Sequence, residues 1–181
     1  MNMFKCLPTL VLLLISHISF SQTTAVEPGV TNLFKLNFFA PGISYEQKVA
    51  KFQTLHISGF VSTTFSTSQS NDGTNLDVFL FPSISAQYRS YYNIPKLTRK
   101  GISTGFNSGS YIAPVYFGTY SFYDDRMFNQ IGAVWGVQRT ASGGFSIDIN
   151  LGVSYTFQNE GYQYFNSDFG PILNLALGFR I

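Results

Sequence analysis

The chain has 181 residues, a formal net charge of +2 and one cysteine, and 17% of its residues are aromatic while 11% are charged. Soluble globular domains carry about a quarter charged residues, so this composition favours a protein with much of its surface against lipid. The small net charge and the lack of a basic stripe interleaved with aromatics exclude a nucleic-acid-binding protein.

The N-terminus resembles an export leader. An apolar run over residues 7–15 is followed by the small residue Ser21, which predicts a cleavable secretory signal peptide over 1–21 and one mature domain over 22–181. A membrane helix is the alternative, but the apolar run is roughly half of the ~20 residues that a span requires. The one cysteine, Cys6, lies in the leader, so the mature domain can form neither a disulfide nor a cysteine metal site.

Strand-like runs separated by turn signals occupy the rest of the chain, without a convincing helical period. A break at Pro41-Gly42 divides the first region into two strands, and this division gives the even strand number that closed bacterial outer-membrane barrels have. The eight predicted strands are 32–40, 43–49, 53–66, 77–93, 109–122, 128–140, 144–158 and 170–181.

Most of these runs alternate between two chemically different faces. The clearest run is 145–157, in which odd positions are large and apolar and even positions include Ser146, Asp148 and Asn150. Such a period of two indicates a strand with an apolar outer face and a polar inner face, as in a transmembrane barrel. The run 109–122 does not alternate cleanly, and the sequence leaves its facing unassigned.

A soluble sandwich or lipocalin-like barrel is the alternative all-β fold. Its polar face would carry many Lys and Glu, whereas the polar face here is mostly Ser, Thr, Asn and Gly, which suit the narrow inside of eight strands. We therefore expect an all-β protein, an eight-stranded antiparallel up-and-down transmembrane β-barrel, monomeric, with surface loops at 67–76, 123–127 and 158–169. The long gap 94–108 is expected to be a mobile, solvated turn or, alternatively, a basic docking patch.

Several segments resemble a known family. They are the leader end 19–22, the segments 35–37, 45–46 and 91–93, and the closing segment 175–181. With them the chain resembles small outer-membrane β-barrel proteins of Bacteroidota-like Gram-negative bacteria, in the OmpA-type eight-stranded superfamily. The resemblance implies an outer-membrane location among lipids and lipopolysaccharide. It also implies that the assembly machinery recognises the last strand, although that strand ends here in Ile181 rather than in an aromatic residue.

The inward faces are predicted to collect charged side chains. In a narrow lumen opposite charges would pair, because an unpaired buried charge costs several kcal/mol. We expect this polar lumen network to have a structural role, and a narrow anion-selective pore for small solutes is the alternative. The residues are Lys35, Glu46, Lys48, His56, Arg89, Asp148 and Arg180.

An enzymatic alternative rests on His56 and Ser58, which lie two residues apart on one strand face. With a carboxylate they could form a nucleophile, a base and an orienting group, and the pair loosely resembles the His-x-Ser element of lipid A-modifying outer-membrane deacylases. That family follows the serine with Asn, where this chain has Gly59. The sequence contains no phosphate-binding loop, zinc spacing or nucleotide fingerprint, so we expect no catalytic residues, no cofactor and no metal.

Aromatic side chains are predicted to form girdles near the strand ends, where amphipathic rings anchor at lipid headgroups. The candidates are Tyr88, Tyr91, Tyr92, Tyr116, Tyr120, Trp135, Tyr155 and Phe157.

Overall fold

The computed structural model describes residues 29–70, 73–122, 125–158 and 168–181. Eight antiparallel strands connected in sequence order form one closed barrel, which confirms the predicted all-β architecture and strand number. The strands are β1 Leu33–Asn37, β2 Gly42–Ala50, β3 Gln53–Ser70, β4 Gly73–Tyr91, β5 Gly109–Ser121, β6 Arg126–Thr140, β7 Phe145–Gln158 and β8 Asp168–Arg180. The predicted signal peptide, 1–21, and most of the predicted loop 158–169 lie outside the described residues.

The alternation in β7 separates two faces in the structure as well. Asp148 and Asn150 are buried inside the barrel, whereas Leu151 and Val153 are 49% and 62% exposed on the outer wall. Because β7 pairs with β6 over 146–158 and with β8 over 145–156, the pleat of one strand sets the facing of its neighbours.

Strand β5 has apolar residues on both faces, and this explains why its sequence does not alternate. Tyr111, Ala113 and Val115 point inward and are buried, while Ile112 on the outer wall is 55% exposed. The inward residues belong to an apolar cluster inside the barrel. The sequence predicted an interior of small polar side chains, but the interior also contains this apolar cluster.

The gap 94–108 differs from the mobile turn that we expected. It forms a short helix, α1 Ile94–Arg99, with Pro95 in its first turn, followed by the 3₁₀ turn Gly105–Asn107. Ile94 and Asn107 are both fully buried, so the segment covers one end of the barrel, which we call the capped end. No helix among the described residues is long and apolar enough to span a membrane.

The basic side chains of this segment are exposed, as expected for a solvated turn. They are Lys96, Arg99 and Lys100.

The opposite, far end of the barrel is uneven. β3 continues to Ser70 and β4 begins at Gly73, so most of the predicted loop 67–76 is strand instead. β6 likewise begins at Arg126, inside the predicted loop 123–127. By contrast, β1 and β2 do not extend as far towards this end and are joined by the turn 38–41. The wall between β3 and β8 is therefore lower here than on the other sides.

Candidate functional site

A group of buried charged side chains crosses the inside of the barrel towards its capped end. Arg89 points inward from β4 and is 1% exposed. Its Nη2 lies 2.8 Å from Asp148 Oδ2 on β7, and its Nη1 lies 3.9 Å from Glu46 Oε2 on β2. One guanidinium therefore faces both buried carboxylates, and hydrogen-bonded opposite charges reduce the desolvation penalty of each.

Glu46 is fully buried and accepts hydrogen bonds from two hydroxyl groups. Thr54 Oγ1 donates to its Oε1 at 2.6 Å, and Tyr91 Oη donates to the same oxygen at 2.7 Å. The other oxygen, Oε2, accepts from Gln138 Nε2 at 3.2 Å. Both carboxylate oxygens thus have donors, as a buried carboxylate requires.

Two glutamines complete the network, and neither was singled out from the sequence. Gln138 Oε1 accepts from Lys35 Nζ at 2.7 Å and from Arg89 Nη1 at 3.0 Å. Gln87 Oε1 accepts from Arg89 Nε at 2.9 Å. An amide both donates and accepts, so Gln138 links the two cations to Glu46.

Two tyrosines were also missed. Tyr111 Oη donates to Asp148 Oδ1 at 2.7 Å, and the guanidinium carbon of Arg89 lies 4.3 Å from the centre of the Tyr111 ring. The rings of Tyr91 and Tyr111 are 5.4 Å apart. Tyr91 had been predicted to lie in an outer girdle, but it is 1% exposed and points inward. We call the whole group the lumen network: Lys35, Glu46, Gln87, Arg89, Tyr91, Tyr111, Gln138 and Asp148.

Two of the predicted lumen charges lie elsewhere. Lys48 is exposed, because it sits near the end of β2 beside a register irregularity, beyond the level that the barrel encloses. The prediction that it joins the network is therefore wrong. Arg180 is half-buried, and its guanidinium carbon stacks 3.5 Å from the centre of the Phe106 ring in the cap. It contacts the cap rather than a carboxylate.

His56 and Ser58 both point into the barrel and are buried. Ser58 Oγ forms a hydrogen bond of 2.9 Å with Ser85 Oγ, and His56 Nδ1 has no hydrogen-bond partner among the described residues. The serine is thus engaged by another serine, and this geometry gives no support to a histidine-activated nucleophile.

The cavity beside the lumen network is small. A cavity of about 30 Å³ lies beside Lys35, His56 and Arg89, which is about the volume of one water molecule. Towards the capped end, Gln138 Nε2 also donates to the backbone oxygen of Asn107 at 3.3 Å, so the network and the cap are in contact. The arrangement connects the strands that surround the lumen through side-chain hydrogen bonds and ion pairs.

The part of the chain that the structure describes has no group of three or more His, Cys, Asp or Glu side chains that could hold a metal ion. The carboxylates of the lumen network are already engaged by donors from the protein. Comparisons of the chain with protein family models, with curated proteins and with solved structures find no match.

Proposed function

We propose that the chain is an integral outer-membrane β-barrel with a structural or surface-interaction role, a filled lumen and no catalytic activity. The observation that carries this proposal is the reversed distribution of polarity. Leu173 is 80% exposed on the outer wall, while Arg89 and Glu46 are almost completely buried. Water-soluble proteins rarely expose apolar patches beyond a few hundred Å², whereas a lipid environment stabilises such a wall.

The outer wall supports this proposal along several strands. Its exposed side chains include Ile57 on β3, Leu80 on β4, Ile131 on β6 and Ile149 on β7. A shallow apolar concavity of about 850 Å³ lies on this wall, lined among others by Leu55, Tyr88, Pro114, Tyr116, Ile131 and Tyr155. Acyl chains fit such a surface because they need no hydrogen-bond partners.

Near the capped end, two aromatic residues support a girdle. Trp135 Nε1 donates to Tyr92 Oη at 2.7 Å, and both side chains are exposed on the outside. Rings with an apolar body and a polar edge prefer the boundary between acyl chains and headgroups. We infer that this boundary lies at the capped end.

Barrels of bacterial outer membranes place short turns in the periplasm and longer loops outside the cell. At the capped end two connections are short turns, 51–52 and 141–144, and the longest connection, 92–108, folds over the barrel as the cap. We therefore propose that the capped end faces the periplasm. The long β3–β4 hairpin then projects from the cell surface, where it can contact a partner.

Membrane fractionation tests the location. We expect the mature protein, beginning at Gln22, in the outer-membrane fraction and in the same gradient peak as an outer-membrane marker. Its folded form in detergent should migrate differently on a gel before and after boiling. Recovery in the soluble periplasmic fraction, with identical mobility in both lanes, would contradict the proposal.

The filled lumen has its own test. Planar bilayers that contain the purified barrel should show no stepwise conductance, with an open porin as the positive control. Stable conductance steps that change on Arg89→Ala would favour the pore alternative instead.

A further inference from the structure

The wall of the barrel is incomplete between β3 and β8 at the far end. The last backbone hydrogen bonds on this side run from Val61 N to Pro41 O and from Phe38 N to Leu177 O, at 2.9 Å each. Beyond them, residues 62–70 of β3 pair with β4 alone, and residues 168–176 of β8 pair with β7 alone, among the described residues. Two strand edges thus face each other across a lateral gap.

Pro171 fits this interpretation of β8. Leu177 O accepts a bond from the β1 side and Ile181 N donates towards the same side, so odd-numbered residues of β8 direct their backbone groups there. Pro171 is odd-numbered and has no N–H group, and prolines within sheets occur on edge strands. The edge of β8 therefore has one fewer donor to satisfy at the gap.

A cavity of about 590 Å³ lies at the gap, and it is lined by residues of both strand edges and of the barrel interior. This volume is in the range of small-molecule sites. Its walls are chemically divided: Phe60, Phe117 and Ile172 are apolar, while Ser62, Ser83 and Thr119 form a chain of hydroxyl groups with hydrogen bonds of 2.7 and 3.0 Å. We call it the lateral cavity.

The lateral cavity adjoins the small cavity beside the lumen network, because Ala40, Phe60 and Asn174 line both. The charged residues that line the small cavity are Lys35, Arg89 and Asp148. Glu46 also faces Arg89, so the formal charges of the two cations and two carboxylates balance. His56 also lines it, and its Nδ1 is a buried polar atom without a partner. Lys35 donates one described hydrogen bond, to Gln138, although an ammonium has three donors.

We propose that the far half of the barrel binds one long-chain carboxylate, with its alkyl chain in the lateral cavity and its carboxylate beside His56 and Lys35. The apolar walls accept the chain, and the unused hydrogen-bonding groups of Lys35 and His56 accept the anion. The lateral gap between β3 and β8 allows the long-chain carboxylate to enter from the surrounding lipid. This route rests on the proposed membrane location, whereas the binding site itself does not.

Native mass spectrometry of the folded, detergent-solubilised protein with palmitate tests the site. We expect saturable binding of one palmitate per barrel. The alcohol of the same chain length should bind about tenfold more weakly, which corresponds to ~1.4 kcal/mol. Equal binding of acid and alcohol would overturn the assignment of the floor as an anion site.

Three variants locate the ligand. Asn174→Phe places a ring where the two cavities meet and should abolish binding, and His56→Phe keeps the ring volume but removes Nδ1 and should weaken binding several-fold. Ile112→Phe, at an exposed position of the outer wall on β5 that lines neither cavity, is the control and should bind as the wild type does. The gel mobility of unboiled samples identifies variants that fold. Unchanged binding by folded Asn174→Phe would refute the site.

The two proposals fail in different ways. A barrel that is found in the outer membrane but binds no palmitate disproves this inference alone. A protein that is soluble and binds palmitate supports the site and disproves the membrane location.

Discussion

Arg89 Nη2 lies 2.8 Å from Asp148 Oδ2, and this ion pair joins β4 to β7 across the inside of the barrel. The two strands are not neighbours in the sheet, where β5 and β6 separate them. The pair therefore adds a connection that the backbone hydrogen bonds do not provide.

Replacement of this cation is expected to destabilise the barrel. Arg89→Met leaves Asp148 and Glu46 buried without the guanidinium that faces both, and breaking a buried pair costs about 3–5 kcal/mol. Urea unfolding of the protein refolded into detergent or vesicles measures the difference. Lys48→Met is the control, because Lys48 is exposed, and its effect should stay within about 0.5 kcal/mol. Equal effects of the two substitutions would contradict the described network.

Gly136 holds space for the Tyr111 ring. A Cβ atom at residue 136 would overlap Cζ and Oη of Tyr111, so Gly136→Ala should displace the ring and weaken its hydrogen bond to Asp148. We expect a loss of about 1–3 kcal/mol in the free energy of unfolding. Gly59→Ala is the matched control on the outer wall, since no atom lies within 4 Å of its added Cβ. A neutral Gly136→Ala would show that Tyr111 does not occupy this position.

The cap is held by the Asn107 side chain. Its Oδ1 accepts from Thr31 N at 2.7 Å and its Nδ2 donates to Thr31 O at 2.9 Å. The residue also has a φ of 59°, a conformation that asparagine tolerates better than alanine. Asn107→Ala should therefore lower the free energy of unfolding by about 2 kcal/mol or more. Lys96→Ala, at an exposed position of α1, should change it little, and similar losses for both variants would argue against the cap.

The fluorescence of Trp135 reports its depth directly, because it is the one tryptophan of the chain. In vesicles of brominated lipids we expect its emission to be quenched, and more strongly by bromines near the headgroup than by bromines near the chain terminus. Tyr92→Phe removes the partner of its indole N–H and should leave this depth profile in place. A tryptophan that aqueous iodide quenches and brominated chains do not would lie outside the membrane.

The sequence predicts the fold well because side chains of a barrel strand alternate between the inside and the outside of the barrel. Asp148 could be assigned to the inside because 145–157 alternates without interruption, and Arg89 because it shares a face with Ser83, Ser85 and Gln87. The same rule fails at β5, where Val115 points inward and Ile112 outward, because two apolar faces produce no alternation.

The site was predicted only in part. Charge identified Arg89, Glu46, Asp148 and Lys35, but charge alone does not tell where the enclosed part of a strand ends, and Lys48 was therefore misplaced. Gln138 and Tyr111 carry no charge, and the facing of 109–122 was unassigned, so the sequence offered no signal for either residue. The cap was missed because α1 spans 6 residues, which is too short to show a helical period.

β1 and β8 are joined by three paired positions, Lys35 with Arg180, Leu36 with Phe179 and Asn37 with Gly178. Every other interface of the barrel joins strands that are consecutive in sequence, and can form by zipping from a turn. The β1–β8 interface must instead bring together the first and last strands of the sheet. Its formation therefore carries the largest loss of loop-closure entropy, and its ladder of three paired positions is the shortest to offset that loss. Ring closure is accordingly the last step we expect in folding, and the first to reverse under denaturant.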